Sequence, residues 1–336
     1  MKLSPDKKLA GILCPVFAIR TEGDLGIGDT EGVNQMIDWC HRHGFSMLQV
    51  LPINETSDDN SPYNAISSMA LDPTTIAVSP KYIPDLSVAK FKEIAKPELL
   101  EELRAGAVKY TKVKELKRSL LRAAFEAFLA EHWDKKTERS EGFRAFLGEN
   151  GDWISDYAMF RVLMEDYHDW PTWDEWPLDR QNPKKAWSWF LSLPAEQRDE
   201  YANRILFCAY VQWIAYDQWQ KVKEHGTRKN VYLMGDIPFG VNRYSSDVWG
   251  NRAIFELSDL GQPATMPLCT AELGVKEVLR AIPRECDAHG TPAEADYIHV
   301  IVLHTLASRK VVLAKRGAHP IHLVCSHRST HPAAAH

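Results

Sequence analysis

No stretch of the 336-residue chain holds the ~18–20 consecutive apolar residues that a membrane-spanning helix requires, so none is predicted. A large excess of one charge is also lacking. Lys and Arg number 40 against 45 Asp and Glu, a formal net charge of −5, which gives no reason to expect nucleic acid or a membrane as partner. The six cysteines, at positions 14, 40, 208, 269, 286 and 325, form no CxxC pair and no regular spacing. Three of them lie in periodic, core-like segments, so reduced and buried thiols are expected. A glycine-rich turn, Gly23-Asp-Leu-Gly26-Ile-Gly28-Asp29, lacks the third glycine of a dinucleotide fingerprint, and no cofactor is expected. What remains is the composition of a soluble protein, 45% apolar and 25% charged, with mean hydropathy −0.33. It is enough for one large core or two modest ones.

The amino-terminal run Gly11–Ala18 follows several basic residues, as a secretion signal does. It contains Pro15 and no small-residue cleavage site, and Leu13 precedes Cys14 where a lipoprotein signal wants a small residue. A buried strand and a cytoplasmic protein are therefore expected. Asp29 or Thr30 can cap a helix on which Val33, Met36, Ile37 and Cys40 recur at helical spacing, and Gly44 can end it. Ser46–Leu51 reads as a second buried strand, so the unit is strand–helix–strand with parallel strands.

From residue 53 to about 203 the alternation gives way to helices, as in an insertion. Val113, Leu116, Leu120, Ala124 and Phe128 mark an amphipathic helix with a charged opposite face. The indole-rich stretch Trp170-Pro-Thr-Trp173-Asp-Glu-Trp176 suits either sugar stacking or a small core, and a core is the reading favoured here. Leu206, Ala209, Tyr210, Trp213 and Ile214 then form a helix face that Gly226 can terminate. A third strand, Val231–Gly235, follows and runs into Asp236-Ile-Pro238-Phe-Gly240 and Tyr244-Ser-Ser-Asp247-Val-Trp249. The division is residues 1–52 with the first strands, 53–203 the insertion, 204–258 the third strand and its loop motif, and 259–336 a tail. In an α/β barrel, functional residues sit where strands end and loops begin, and the notable polar residues lie there.

The tail is poor in aromatics. All 11 Trp, all 12 Phe and 10 of the 11 Tyr precede residue 256, leaving only Tyr297, while eight of 13 His lie between His289 and His336. A metal-binding tail built on His319, His322, His327 and His331 lacks a second cluster or an acidic ligand, so no metal site is assigned. A disordered tail accords poorly with its many aliphatics and low net charge. A shift of reading frame after about residue 258 explains so abrupt a change of composition best.

Taken together, DLGIGD (24–29), LQVLPINET (48–56), Ser61-Pro62-Tyr63, Trp173-x-x-Trp176-Pro177, GDIPFGV (235–241) and SSDVW (245–249) resemble the amylomaltase-type 4-α-glucanotransferases over residues 9–258. The resemblance implies the α/β class. The fold would be a (β/α)8 TIM barrel with a helical insertion, of which about three strands are recognisable here. It implies transfer of α-1,4-glucan segments between maltooligosaccharides with retention, by two carboxyl groups ~5–5.5 Å apart. It implies maltooligosaccharides or α-1,4-glucans as partners.

Ser61 and Tyr63 then match the family's sugar-contacting segment, with a rim tyrosine closing a loop as the alternative. Asp236 matches the aspartate that supports the catalytic centre, with a strand-end or capping role as the alternative. Asp247 and Trp249 match the loop over the bound glucan, with a buried Trp and a turn-holding Asp as the alternative. The family nucleophile lies in an Arg-x-Asp-His segment and its acid/base in Ala-Glu-Asp-Leu-Gly. Neither occurs here, and Glu272 and Asp287 sit only in chance echoes of them. No catalytic residue is assigned, and the chain is expected to be inactive, with a barrel part that is unstable on its own.

Overall fold

The computed structural model describes residues 9–168, 170–236, 242–252 and 255. Three short strands, β1 (Gly11–Leu13), β2 (Met47–Gln49) and β3 (Tyr232–Met234), make one parallel sheet in the order β1-β2-β3. Ile12 pairs with Leu48, and Leu48 with Leu233. The strand–helix–strand unit is therefore present, but the run 11–18 is not one buried strand. Pro15 offers no N–H to a ladder, and Val16–Ala18 coil into a 3₁₀ turn. Among the described residues β1 has a neighbour on one side only, so Leu13 is 53% exposed while the central Leu48 is fully buried.

Asp29 is the cap of α1 (Thr30–Arg42), its carboxylate accepting from the Glu31 and Gly32 amides at 3.0 and 3.2 Å. Val33, Ile37 and Cys40 face the core, as the spacing predicts. The preceding turn packs so tightly on Val16–Ala18 that a Cβ on Gly28 would lie 1.9 Å from the Val16 carbonyl oxygen; only glycine fits there.

Helices then take over: α2 (Val88–Ile94), α3 (Pro97–Arg104), α4 (Tyr110–Phe128), α5 (Glu138–Glu149), α6 (Ile154–Asp166) and α7 (Pro183–Ser192). The five apolar positions predicted for α4 are all buried. Lys117 lies on the same stripe and is buried with them, a departure from the expected segregation of charge. Its ammonium donates to the carbonyls of Thr74 and Ile76 at 2.5 and 2.7 Å. Burial pushes its pKa down, against the fields of Asp29, Asp72 and Asp24.

The spine is α8 (Ala195–Lys229), 35 residues long, which contains position 203 and packs against α1 and α6. It does not stop at Gly226. That residue lies inside the helix, where a Cβ would come within 2.9 Å of the Val231 carbonyl, and the helix ends at Asn230 in the left-handed region (φ +57°). A five-residue helix, α9 (Ser246–Gly250), follows β3.

Two apolar clusters result. The larger joins the sheet, α1, α4 and α8, and the smaller gathers Ile66, Phe160, Trp173, Trp176 and Trp249. Trp173 and Trp176 are thus core residues, while Trp170 is 63% exposed. Cys14, Cys40 and Cys208 are free thiols, Cys40 and Cys208 buried, and burial pushes the Cys208 thiol up to about 12. Among the described residues no helix is long and apolar enough to cross a membrane. Cys269, Cys286, Cys325, Glu272, Asp287, the four tail histidines and the whole tail lie outside the described residues.

Candidate functional site

The three parallel strands end at Leu13, Gln49 and Met234, and the loops that follow them share one side of the sheet. The longest loop, after β2, doubles back on itself. Antiparallel bridges join Asn54 to Leu71 and Thr56 to Ala65, so that Tyr63 stands near the tip. Helix α8 grips this loop along one face. The Gln212 amide exchanges both hydrogen bonds with the Leu71 backbone, at 2.8 and 2.9 Å, as a neighbouring strand would. Tyr216 donates to the Met69 carbonyl at 2.6 Å and Trp219 to the Thr75 hydroxyl at 3.1 Å. Six residues beyond Gln212, Gln218 clamps Ala77 in the same two-bond manner, at 2.9 and 3.0 Å. The spacing of 212, 216 and 219 is that of a single helix face.

The loop after β3 is sewn to the tip of the first. The Tyr63 phenol donates to Asp236 Oδ2 at 2.8 Å, across 173 residues of sequence. Asn242 hydrogen-bonds Asn64, and the Ser246 amide donates to the Ile66 carbonyl at 2.8 Å. Both oxygens of Asp247 are taken by Ser68, its amide at 2.8 Å and its hydroxyl at 2.7 Å. The bond to Asp236, with some burial and the carboxylate's charge, pushes the Tyr63 phenol above its ordinary value. Burial pushes the Asp247 carboxyl up, opposed by the two Ser68 bonds.

The sequence-predicted residues thus fall into three places. Tyr63 and Asp236 meet, and the Tyr63 ring is 49% exposed. Ser61 builds the turn beneath them: its amide donates to Asp59 at 3.0 Å and its carbonyl accepts from the Asn64 amide at 3.0 Å. Asp247 ties the two loops together. Trp249 needs a correction as a residue that touches a glucan. Its ring is fully buried against Phe160, centroids 5.7 Å apart, and its indole N–H donates to the Arg180 carbonyl at 2.9 Å. It presents no face to a ligand, so the buried-Trp account describes it.

Sequence reasoning missed Glu55, Tyr157, Arg161, Gln212, Gln218 and Lys117, which hold these loops. Gln212, Gln218 and Lys117 carried a usable signal, since each is a polar residue on an otherwise apolar helical stripe. Glu55 carried none. What the arrangement offers chemically is a half-exposed aromatic ring beside a carboxylate at the open end of a strand, a pairing that gives a sugar both a stacking face and an acceptor. Among the described residues no group of three His, Cys, Asp or Glu side chains is arranged to hold a metal ion.

The family model for 4-alpha-glucanotransferase matches residues 14–267. The chain belongs to this family. It is 34% identical over 263 residues to the 4-alpha-glucanotransferase of Chlamydia pneumoniae, an alignment covering 75% of this chain and 45% of the relative. It is 30% identical over 254 residues to that of Aquifex aeolicus, covering 74% and 47%. Among solved structures, the amylomaltase of Streptococcus agalactiae in complex with acarbose superposes with a TM-score of 0.61. That match has 24% identity and covers 76% of this chain and 48% of the other, a likeness of fold. The chain spans about half the length of the relatives it matches.

Proposed function

We propose that this chain carries the sugar-positioning part of a 4-α-glucanotransferase. In its complete form such an enzyme is a (β/α)8 barrel that transfers α-1,4-glucan segments between maltooligosaccharides by a retaining double displacement. The observation that supports this best is the Tyr63–Asp236 hydrogen bond. It joins the motif tyrosine and the motif aspartate at the carboxyl ends of parallel strands. In this reading the exposed Tyr63 ring stacks on a glucose unit, Asp236 accepts from its hydroxyls, and the Asp247–Ser68 tie keeps the covering loop in place. Maltooligosaccharides are the partners, with no nucleic acid, membrane or cofactor involved, and the cytoplasm is the compartment.

Turnover needs an attacking carboxylate and a second carboxyl that protonates the leaving oxygen. Neither family motif occurs in the sequence, so the chain alone binds glucan without transferring it. Calorimetric titration with maltoheptaose tests this, with a Kd on the order of 1 mM expected and Tyr63→Ala weakening it. Glucose release from maltotriose is the parallel assay, with none expected. Binding that ignores Tyr63→Ala, or glucose release by the unaltered chain, overturns the reading. Sequencing the gene across the codons for Glu256–Thr270 separates two origins. A downstream frame encoding both carboxylate motifs means a displaced reading frame; continuous stops mean a non-catalytic glucan-binding relative.

A further inference from the structure

Glu55 sits on the outgoing arm of the Tyr63 loop, where its backbone bonds the returning arm twice. Its amide donates to the Ala70 carbonyl at 2.9 Å and its carbonyl accepts from the Ile66 amide at 2.8 Å, between the two bridges of the loop. Its side chain turns inward and is buried. There Arg161 donates to Oε1 at 3.1 Å and the Tyr157 hydroxyl to Oε2; the two partners sit one turn apart on α6. Gln212 of α8 bonds the same Tyr157 hydroxyl at 3.2 Å while holding Leu71. Arg161 also approaches Glu165 at 3.8 Å, where Arg118 of α4 and Arg204 of α8 converge at 2.7 and 3.3 Å. The carboxylate is therefore the inner end of an ionic chain that ties the loop to three helices.

Stability does not explain such an arrangement, because desolvating a buried ion pair offsets most of its attraction, and apolar side chains of equal volume often serve as well. What a fully partnered polar network does supply is a single geometry. We propose that Glu55 is a positioning residue of the candidate sugar site. Held by Arg161 and Tyr157, it fixes the loop so that Tyr63 meets Asp236. This rests on the glucan-binding reading above and adds to it the group that sets the site's geometry without touching the sugar.

The test uses the full chain labelled with [13Cζ]tyrosine, the Tyr63 resonance being identified by its loss in Tyr63→Phe and its unbonded position by Asp236→Ala. Glu55→Gln keeps the side chain's size but removes the charge that holds Arg161. The double variant E55M/R161M replaces the pair with apolar groups of similar volume and should keep the melting point of the parent. In both variants the Tyr63 resonance is expected to move most of the way to its Asp236→Ala position. Maltoheptaose affinity is expected to fall about five- to tenfold. An unmoved Tyr63 resonance in either folded variant overturns the proposal. So does loss of fold in both, which makes Glu55 a stability residue. If the parent binds no maltoheptaose, the glucan reading fails, and the Tyr63 resonance still decides the role of Glu55.

Discussion

The strands of the sheet are three residues each and leave Leu13 and Met234 about half exposed, whereas α8 runs for 35 residues and buries Tyr210, Ile214 and Trp219 almost completely. The two regions contribute different things. The sheet sets direction: three parallel carboxyl ends deliver their loops to one side. The helices supply the packing and, through Gln212, Tyr216 and Gln218, the hydrogen bonds that keep the longest of those loops in one shape. Loop direction therefore originates in the sheet, whereas packing and the shape of the longest loop both come from the helices. The sharpest way to break that comparison is to truncate one large apolar side chain in each. Trp219→Ala removes a fully buried indole and a hydrogen bond to Thr75, and is expected to cost about 3–5 kcal/mol in urea unfolding. Met234→Ser, on the sheet, should stay within about 0.5 kcal/mol. Comparable losses would mean that the sheet carries as much of the fold as the helices do.

A second substitution sharpens the comparison where the two regions touch. Gln212→Leu preserves volume but leaves the Leu71 N–H and C=O without partners in a buried position. About 2–3 kcal/mol of destabilisation is expected, since an unsatisfied buried polar group keeps its full desolvation penalty. Gln220→Leu is the control. It lies two turns along the same helix, exposed, and its amide donates only to Glu224 at 3.0 Å. Equal effects from the two would show that the Leu71 clamp is incidental.

Much of the fold was legible because local chemistry and tertiary packing agree. Asp29 is the cap, Val33, Ile37 and Cys40 are the core face of α1, and the α4 stripe is buried as its period requires. Gly226 misled because glycine inside a helix reads as a stop; here the reason for glycine is the close approach of the Val231 carbonyl, a contact made by the returning chain. At the site, the turn and strand-end positions of Tyr63 and Asp236 were readable, but their meeting depends on the fold. For Trp249 the sequence left a glucan contact and a buried ring both open, because a motif records which residue is needed and not which way its ring points. Glu55 stayed hidden for a simpler reason: a carboxylate in a polar loop looks like any solvated charge until α6 is seen to cover it.

A smaller loss than those at Trp219 and Gln212 is expected in the other loop at the carboxyl side of the sheet, between β1 and α1. Asp24 there is buried, which alone would raise its pKa. It nevertheless accepts from Arg20 at 2.8 and 3.0 Å and from the Thr21 and Gly26 amides, each at 2.8 Å, and together these hold its carboxyl below the ordinary range. A carboxyl whose folded pKa is depressed stabilises the protein above its unfolded value, near pH 4, and that contribution disappears as the pH falls through the lower folded value. Asp24→Asn should therefore lower stability by about 1 kcal/mol at neutral pH and converge with the parent in acid. Urea midpoints followed from neutral pH into acid read this directly, since linkage removes the difference as the pH falls through the depressed folded value. A deficit that persists unchanged into acid would mean that Asp24 acts through packing and not through its charge. The loops around the sheet would then be held as the helices are, by contact area, and the contrast between the two regions would narrow.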